Sequence, residues 1–243
     1  CPGKPGFYCP VPGKWTSFRL AWFRTVGRLM GLSVSHNDIF PITFTRPVLK
    51  YILGRKVAWH DLAFFDPILF ETLRKTVAAG TSTPSTVESW DLAFAIDFPA
   101  WMGGGSVELV PGGSNVPVTS ENVRKYAELY VQHLMVESIR PALDAIRSGV
   151  LDALPAAALA GLTAEDFRLL VNGCHTIDVA LLEQCSDFVD ETGHGGNLME
   201  QTKRWFWELV KDMSTEEQHD LVYFWTSSPS LPATEAGFVP KPC

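Results

Sequence analysis

Five cysteines and six histidines are the residues of this 243-residue sequence best suited to nucleophilic or metal chemistry. Cys1, Cys9, Cys174, Cys185 and Cys243 stand at wide spacings, with no C-x-x-C pair and no second Cys or His at zinc-knuckle distance. That pattern predicts reduced thiols, no bound metal and no cofactor. Cys174 and His175 are adjacent, but neighbours on a chain rarely aim at one atom, so after Gly173 they read as helix-end chemistry. The other histidines are scattered: His60 in AWHDL reads as satisfying a turn, and His194 as solvated. Gly103-Gly104-Gly105 lacks the Lys-Ser/Thr of a phosphate cradle and opens onto no helix, so it reads as a loop. No triad, carboxylate pair or dinucleotide loop stands out. The chemistry of the chain therefore turns on what Cys243 is: a nucleophile, a disulfide partner, or the point where the sequence stops.

The elements that would position such groups follow from composition and patterning. Apolar residues make up 46% and charged residues 19%, with 8 Trp and 15 Phe, which specifies a packed globular protein. At 243 residues the chain exceeds a domain of roughly 100–200 residues, so one large domain or two unequal ones are expected. A net charge of -7 without a basic run argues against nucleic acid as a partner. The longest nearly apolar stretch, 150–162, contains Asp152 and Pro155 and falls short of the ~18 residues of a spanning helix, so no membrane contact is expected. The opening CPGKPGFYCP has no initiator Met and no signal pattern, and reads as an internal cut.

Along the chain, TSFRLAWFRTVGRLMGLSV sets Phe18, Trp22, Val26, Leu29 and Met30 at helical spacing, predicting a buried amphipathic helix capped by Thr16 or Ser17. TRPVLKYILG predicts a short helix between Pro47 and Gly54. DPILFETLRKTVAAG predicts one capped by Asp66, opened by Pro67 and stopped by Gly80, with Leu69, Leu73 and Val77 on one face. Short strands are expected in WDLAFAIDF and VELVPGGSNVPVT. From Ser120 a helical pattern runs on, interrupted at Pro141 and ended at Gly149. Thr163 and Gly173 bracket another helix, and Ser214 with Glu217 reads as a capping box between two final helices. The three glycines of GHGGN, Gly193, Gly195 and Gly196, read as a hinge.

Several motifs in order, FRTVGRLMGL, PITFTRPVLKYILG, HDLAFFDPILFETL, VELVPGGSNVPVT, LTAEDFRLLVNGC and FWELVKDMSTEEQHDLVYFWTSSPSLPATEAGF, resemble the HECT class of ubiquitin ligases across nearly the whole chain. Asn172-Gly173-Cys174 and Thr226-Ser227-Ser228 depart from the commoner family pattern in the manner of its hyperplastic discs branch. The resemblance implies an α+β bilobal domain: a mostly helical N-lobe with a small sheet over 1–192, a hinge at 193–197, and a C-lobe over 198–243. It implies a ubiquitin transferase that takes ubiquitin from a conjugating enzyme as a cysteine thioester and passes it to a substrate lysine, in the cytoplasm or nucleus. The family's conjugating-enzyme groove falls on Leu69, Thr72, Leu73, Thr76 and Tyr126, where Leu69 and Leu73, one turn apart, also fit ordinary core. The family's nucleophile lies in a Leu-Pro-x-x-x-Thr-Cys motif, whereas Cys243 follows Lys241-Pro242. On this reading Cys243 is not the nucleophile and the sequence is a fragment cut inside the C-lobe. The alternatives are a non-catalytic module that binds a conjugating enzyme, and an unrelated helical scaffold.

Overall fold

A computed structural model describes residues 6–82, 87–97, 104–174, 176–189, 197–227 and 230–232. His175, the hinge glycines Gly193, Gly195 and Gly196, and Cys243 lie outside these described residues. In chain order the elements are β1 (Phe7–Tyr8), α1 (Ser17–His36), β2 (Thr43–Phe44), α2 (Arg46–Ile52), a 3-10 turn (Trp59–Asp61), α3 (Leu62–Phe65) and α4 (Pro67–Ser82). There follow β3 (Ala95–Asp97), β4 (Ser106–Glu108), α5 (Val123–Met135), α6 (Arg140–Ala153), α7 (Ala156–Leu159), α8 (Ala164–Asn172), α9 (Val179–Cys185), α10 (Asn197–Asp212) and α11 (Thr215–Thr226). The class is α+β, mostly helical, with parallel β1–β2 and antiparallel β3–β4 as two-stranded sheets. Two compact units divide the chain: 1–31 with 42–165, and 32–41 with 166–243.

In the first unit, α1 and α6 pack closely. A Cβ on Gly27 would stand 2.1 Å from the Ile146 carbonyl oxygen, and one on Gly149 would stand 2.0 Å from that of Arg24. Only glycine permits backbones this near, so Gly149 lies inside α6 rather than ending it, and Pro141 opens that helix rather than interrupting one. Above the contact, Arg24 Nη2 and Arg28 Nε reach Asp152 at 2.8 and 2.6 Å. The expected buried face of α1 holds at Met30 but is corrected at Phe18, Trp22 and Leu29. Gly27, Met30 and Gly31 are buried, while Phe18, Trp22 and Leu29 are 72%, 59% and 52% exposed. Thr16 does cap the helix, accepting from the Arg19 N–H at 3.2 Å.

Beside α2, buried Asp61 accepts from the Lys50 ammonium at 2.7 Å and from the Ala58 N–H at 2.8 Å. It thereby ties α2 to the segment leading into the 3-10 turn, which fits the turn expected around His60.

In the second unit, Ile177, Leu182, Cys185, Trp207, Val210, Val222 and Leu231 form a core edged by Phe188, Phe206 and Trp225. Gly173, at φ +68°, ends α8 as expected, and Cys174 then bridges to Leu231. Ser214 and Glu217 form the expected reciprocal cap of α11. Cys174 and Cys185 are free thiols, but Cys9 is disulfide-bonded, which corrects the expectation of reduced cysteines throughout. Wide spacing along a chain sets no lower bound on separation in space.

Candidate functional site

The residues expected to line the groove lie on α4 and α5, and Phe94, just before β3, packs beside them. On α4 the positions Leu69, Leu73, Thr76 and Gly80 repeat at helical spacing and make one stripe. Leu73 and Thr76 are 5% and 9% exposed and Gly80 is buried, Leu69 is half-buried, and Thr72 is exposed. Asp66 caps the helix by accepting from the Leu69 N–H at 2.9 Å. Gly80 does not stop it, since α4 continues to Ser82. A Cβ on Gly80 would meet Val123 at 2.8 Å, so the absent side chain lets α4 press on the start of α5. At the other end of the contact Tyr130 feels the Asp66 charge. The two helices therefore run antiparallel.

Tyr126 extends this face. Its ring meets Phe94 edge-on at 5.6 Å and Tyr130 at 6.0 Å, a chain of aromatic contacts from the residue before β3 to α5. Phe94 is held by its main chain, donating to Val116 O and accepting from Leu109 N. Burial pushes the Tyr126 hydroxyl up to about 12, with the neighbouring Tyr130 adding to the effect. Burial, then Asp66, raises Tyr130. Neither hydroxyl has a hydrogen-bond partner among the described residues.

The two threonines are less polar than their names. Thr72 Oγ1 donates to Ile68 O at 3.0 Å and Thr76 Oγ1 to Thr72 O at 2.9 Å, so each hydroxyl is spent inside its own helix. The γ-methyl is the group left for contact. Motif matching missed Phe94, Tyr130 and Ile68, which is 82% exposed and one turn before Thr72. The signal for Ile68 was an apolar residue directly after the helix-opening Asp66-Pro67 step.

The structure thus gathers Leu69, Thr72, Leu73 and Thr76 on one side of α4, with Tyr126 on the helix packed against it. Leu73, Thr76 and Tyr126 are buried, Leu69 is half-buried, and Thr72 and Ile68 are exposed. Among the described residues no group of three or more His, Cys, Asp or Glu could hold a metal, and no helix is long and apolar enough to cross a membrane.

Residues 4–241 match the family described as HECT-domain (ubiquitin-transferase), and the chain belongs to that family. It is 45% identical over 243 residues to the Drosophila melanogaster E3 ubiquitin-protein ligase hyd, covering 99% of this chain and 8% of that protein. That likeness agrees with the hyperplastic discs features of the sequence. To the Arabidopsis thaliana E3 ubiquitin-protein ligase UPL2 it is 27% identical over 238 residues, 95% of this chain and 6% of that one. To the human E3 ubiquitin-protein ligase HACE1 it is 29% identical over 215 residues, 88% of this chain and 23% of that one. The chain therefore spans a small part, 6% to 23%, of these relatives.

Proposed function

We propose that this chain is the conjugating-enzyme-docking part of a ubiquitin-protein transferase, whose complete form receives ubiquitin as a cysteine thioester and delivers it to a substrate lysine. A thiol suits both steps, because its thiolate is nucleophilic near neutral pH and a thioester forms from another without a steep energy loss. The observation that carries the docking role is the α4–α5 face: an apolar floor of Leu73 and Tyr126 beneath a rim of Leu69, Thr72 and Ile68. The Tyr126 and Tyr130 hydroxyls, without a hydrogen-bond partner among the described residues, can serve an incoming loop. A conjugating enzyme presenting apolar loop residues is the partner this face fits. The same reading assigns the interlobe hinge to Gly193, Gly195 and Gly196 and gives Cys243 no nucleophilic role.

Calorimetric or NMR titration of the 243-residue chain with a panel of conjugating enzymes tests docking. Burying one Leu side chain is worth about 1.5–3 kcal/mol, so Leu69→Ala weakens binding up to roughly ten- to hundredfold, whereas Leu73, already 5% exposed, acts by shaping the face beneath it. Because Leu73 also belongs to the core, Thr72→Asp on the exposed rim supplies the control that leaves packing intact. The assignment fails if folded Leu69→Ala and Thr72→Asp bind like the parent, or if no member of the panel binds.

A further inference from the structure

A second concavity in the same unit lies on another side of α5. Lys125, Leu129 and Gln132 line it, about a third of a turn round the helix from Tyr126 and Tyr130. Its opposite wall is the 55–59 segment, and its volume is about 660 Å³, within the usual range of ligand sites. Val57, Val131 and Val136 are buried in its floor, and Trp59, stacked on Phe70 at 5.2 Å, adds an aromatic surface.

Charge in this cleft runs against that of the molecule. Arg55, Lys56, Lys125 and Arg140 line it with only one acid, Glu128, in a chain of net charge -7. Arg140 is spent on Glu137, Arg55 donates to the Leu162 carbonyl at 3.2 Å, and Glu128 faces Arg124 at 3.7 Å. The Lys56 and Lys125 ammonium groups, both exposed, have no acidic partner among the described residues. The 55–58 segment has no regular secondary structure, and the Lys56 and Val57 N–H groups reach no protein acceptor among those residues.

We propose that this cleft binds an extended acidic peptide segment carrying one apolar side chain. Its carboxylates would meet Lys56 and Lys125, its apolar side chain would lie on Trp59 and the valine floor, and its carbonyls would accept from the open N–H groups of 56–57. A bare anion would use the lysines but leave the apolar floor and the main-chain donors idle.

The test is fluorescence anisotropy of the 243-residue chain with a labelled Asp/Glu peptide bearing a central Leu. Two twins accompany it, one with Asn/Gln for every acid and one with Ala for Leu. Expected are about tenfold tighter binding of the acidic peptide than of its neutral twin, and a clear loss for the Ala twin. Affinity should fall as salt rises from about 50 to about 300 mM. Lys56→Glu combined with Lys125→Glu, both at exposed positions, should cost about tenfold with an unchanged circular dichroism spectrum. Equal binding of the charged and neutral peptides, or parent-like binding by the double variant, overturns the proposal. So does displacement by inorganic phosphate with no dependence on the Leu, which would mark a simple anion site.

Discussion

Helices α1 and α6 meet through glycines on both sides, yet differ in how much of their apolar surface they bury. On α6 the apolar residues Leu143, Ile146 and Val150 are each fully buried, and Gly149 beside them meets the Arg24 backbone. On α1 Gly27, Met30 and Gly31 are buried, while Phe18 and Trp22 stay exposed. The difference teaches that hydrophobic periodicity finds a buried face only where helices are spaced by side chains. Where they approach backbone to backbone, small residues mark the contact, and most of the apolar stripe can lie off it.

The comparison breaks most sharply at the glycines. Adding a methyl at Gly27 or Gly149 drives a Cβ into a backbone carbonyl, and such overpacking costs about 1–3 kcal/mol, partly offset by up to about 1 kcal/mol of helix propensity. Gly27→Ala and Gly149→Ala should each lower Tm by several degrees in a thermal melt. A Tm at or above the parent's would mean that the close approach is not needed.

A smaller effect belongs to the ion pair above the crossing. Hydrogen bonds from Arg24 and then Arg28 hold the Asp152 carboxyl well below the usual carboxylate range. A depressed folded-state value means that the group's contribution is complete above the ordinary carboxylate pKa of about 3.9 and drains away as pH falls further. Urea midpoints of parent and Asp152→Asn should therefore differ near neutrality, with the gap beginning to narrow only below about pH 4 and continuing to shrink as pH falls further. A gap that is constant from pH 7 to pH 3 would show that the carboxylate charge is irrelevant.

The smallest effect is predicted where the apolar stripe of α1 drew the eye. Trp22 is 59% exposed, so Trp22→Ala should change stability by no more than about 0.5 kcal/mol. A loss above about 2 kcal/mol in a urea titration would place that face in a packed interface after all.

The same physics decides what could be read in advance. Helix ends written in local chemistry were legible: Asp66 and Ser214 as caps, Pro47 and Pro67 as openers, Gly54 and Gly173 as left-handed stops. Gly80 and Gly149 were misread as stops because a glycine serves equally as a terminator or as a site of close approach, and only the partner helix distinguishes the two. The apolar stripe of α4 was legible in the Leu69–Leu73 spacing. Phe94 was not, because its place depends on main-chain bonds to Val116 and Leu109, set by a turn that brings distant residues together.

Asp61 carries a consequence for recognition. Nearly sealed from solvent, it binds the Lys50 ammonium and the Ala58 N–H at once, so the 55–58 segment is moored before any ligand arrives. Ordering a loose loop consumes part of the free energy of association. A wall fastened in advance escapes that loss, and a peptide settling against it surrenders only its own freedom.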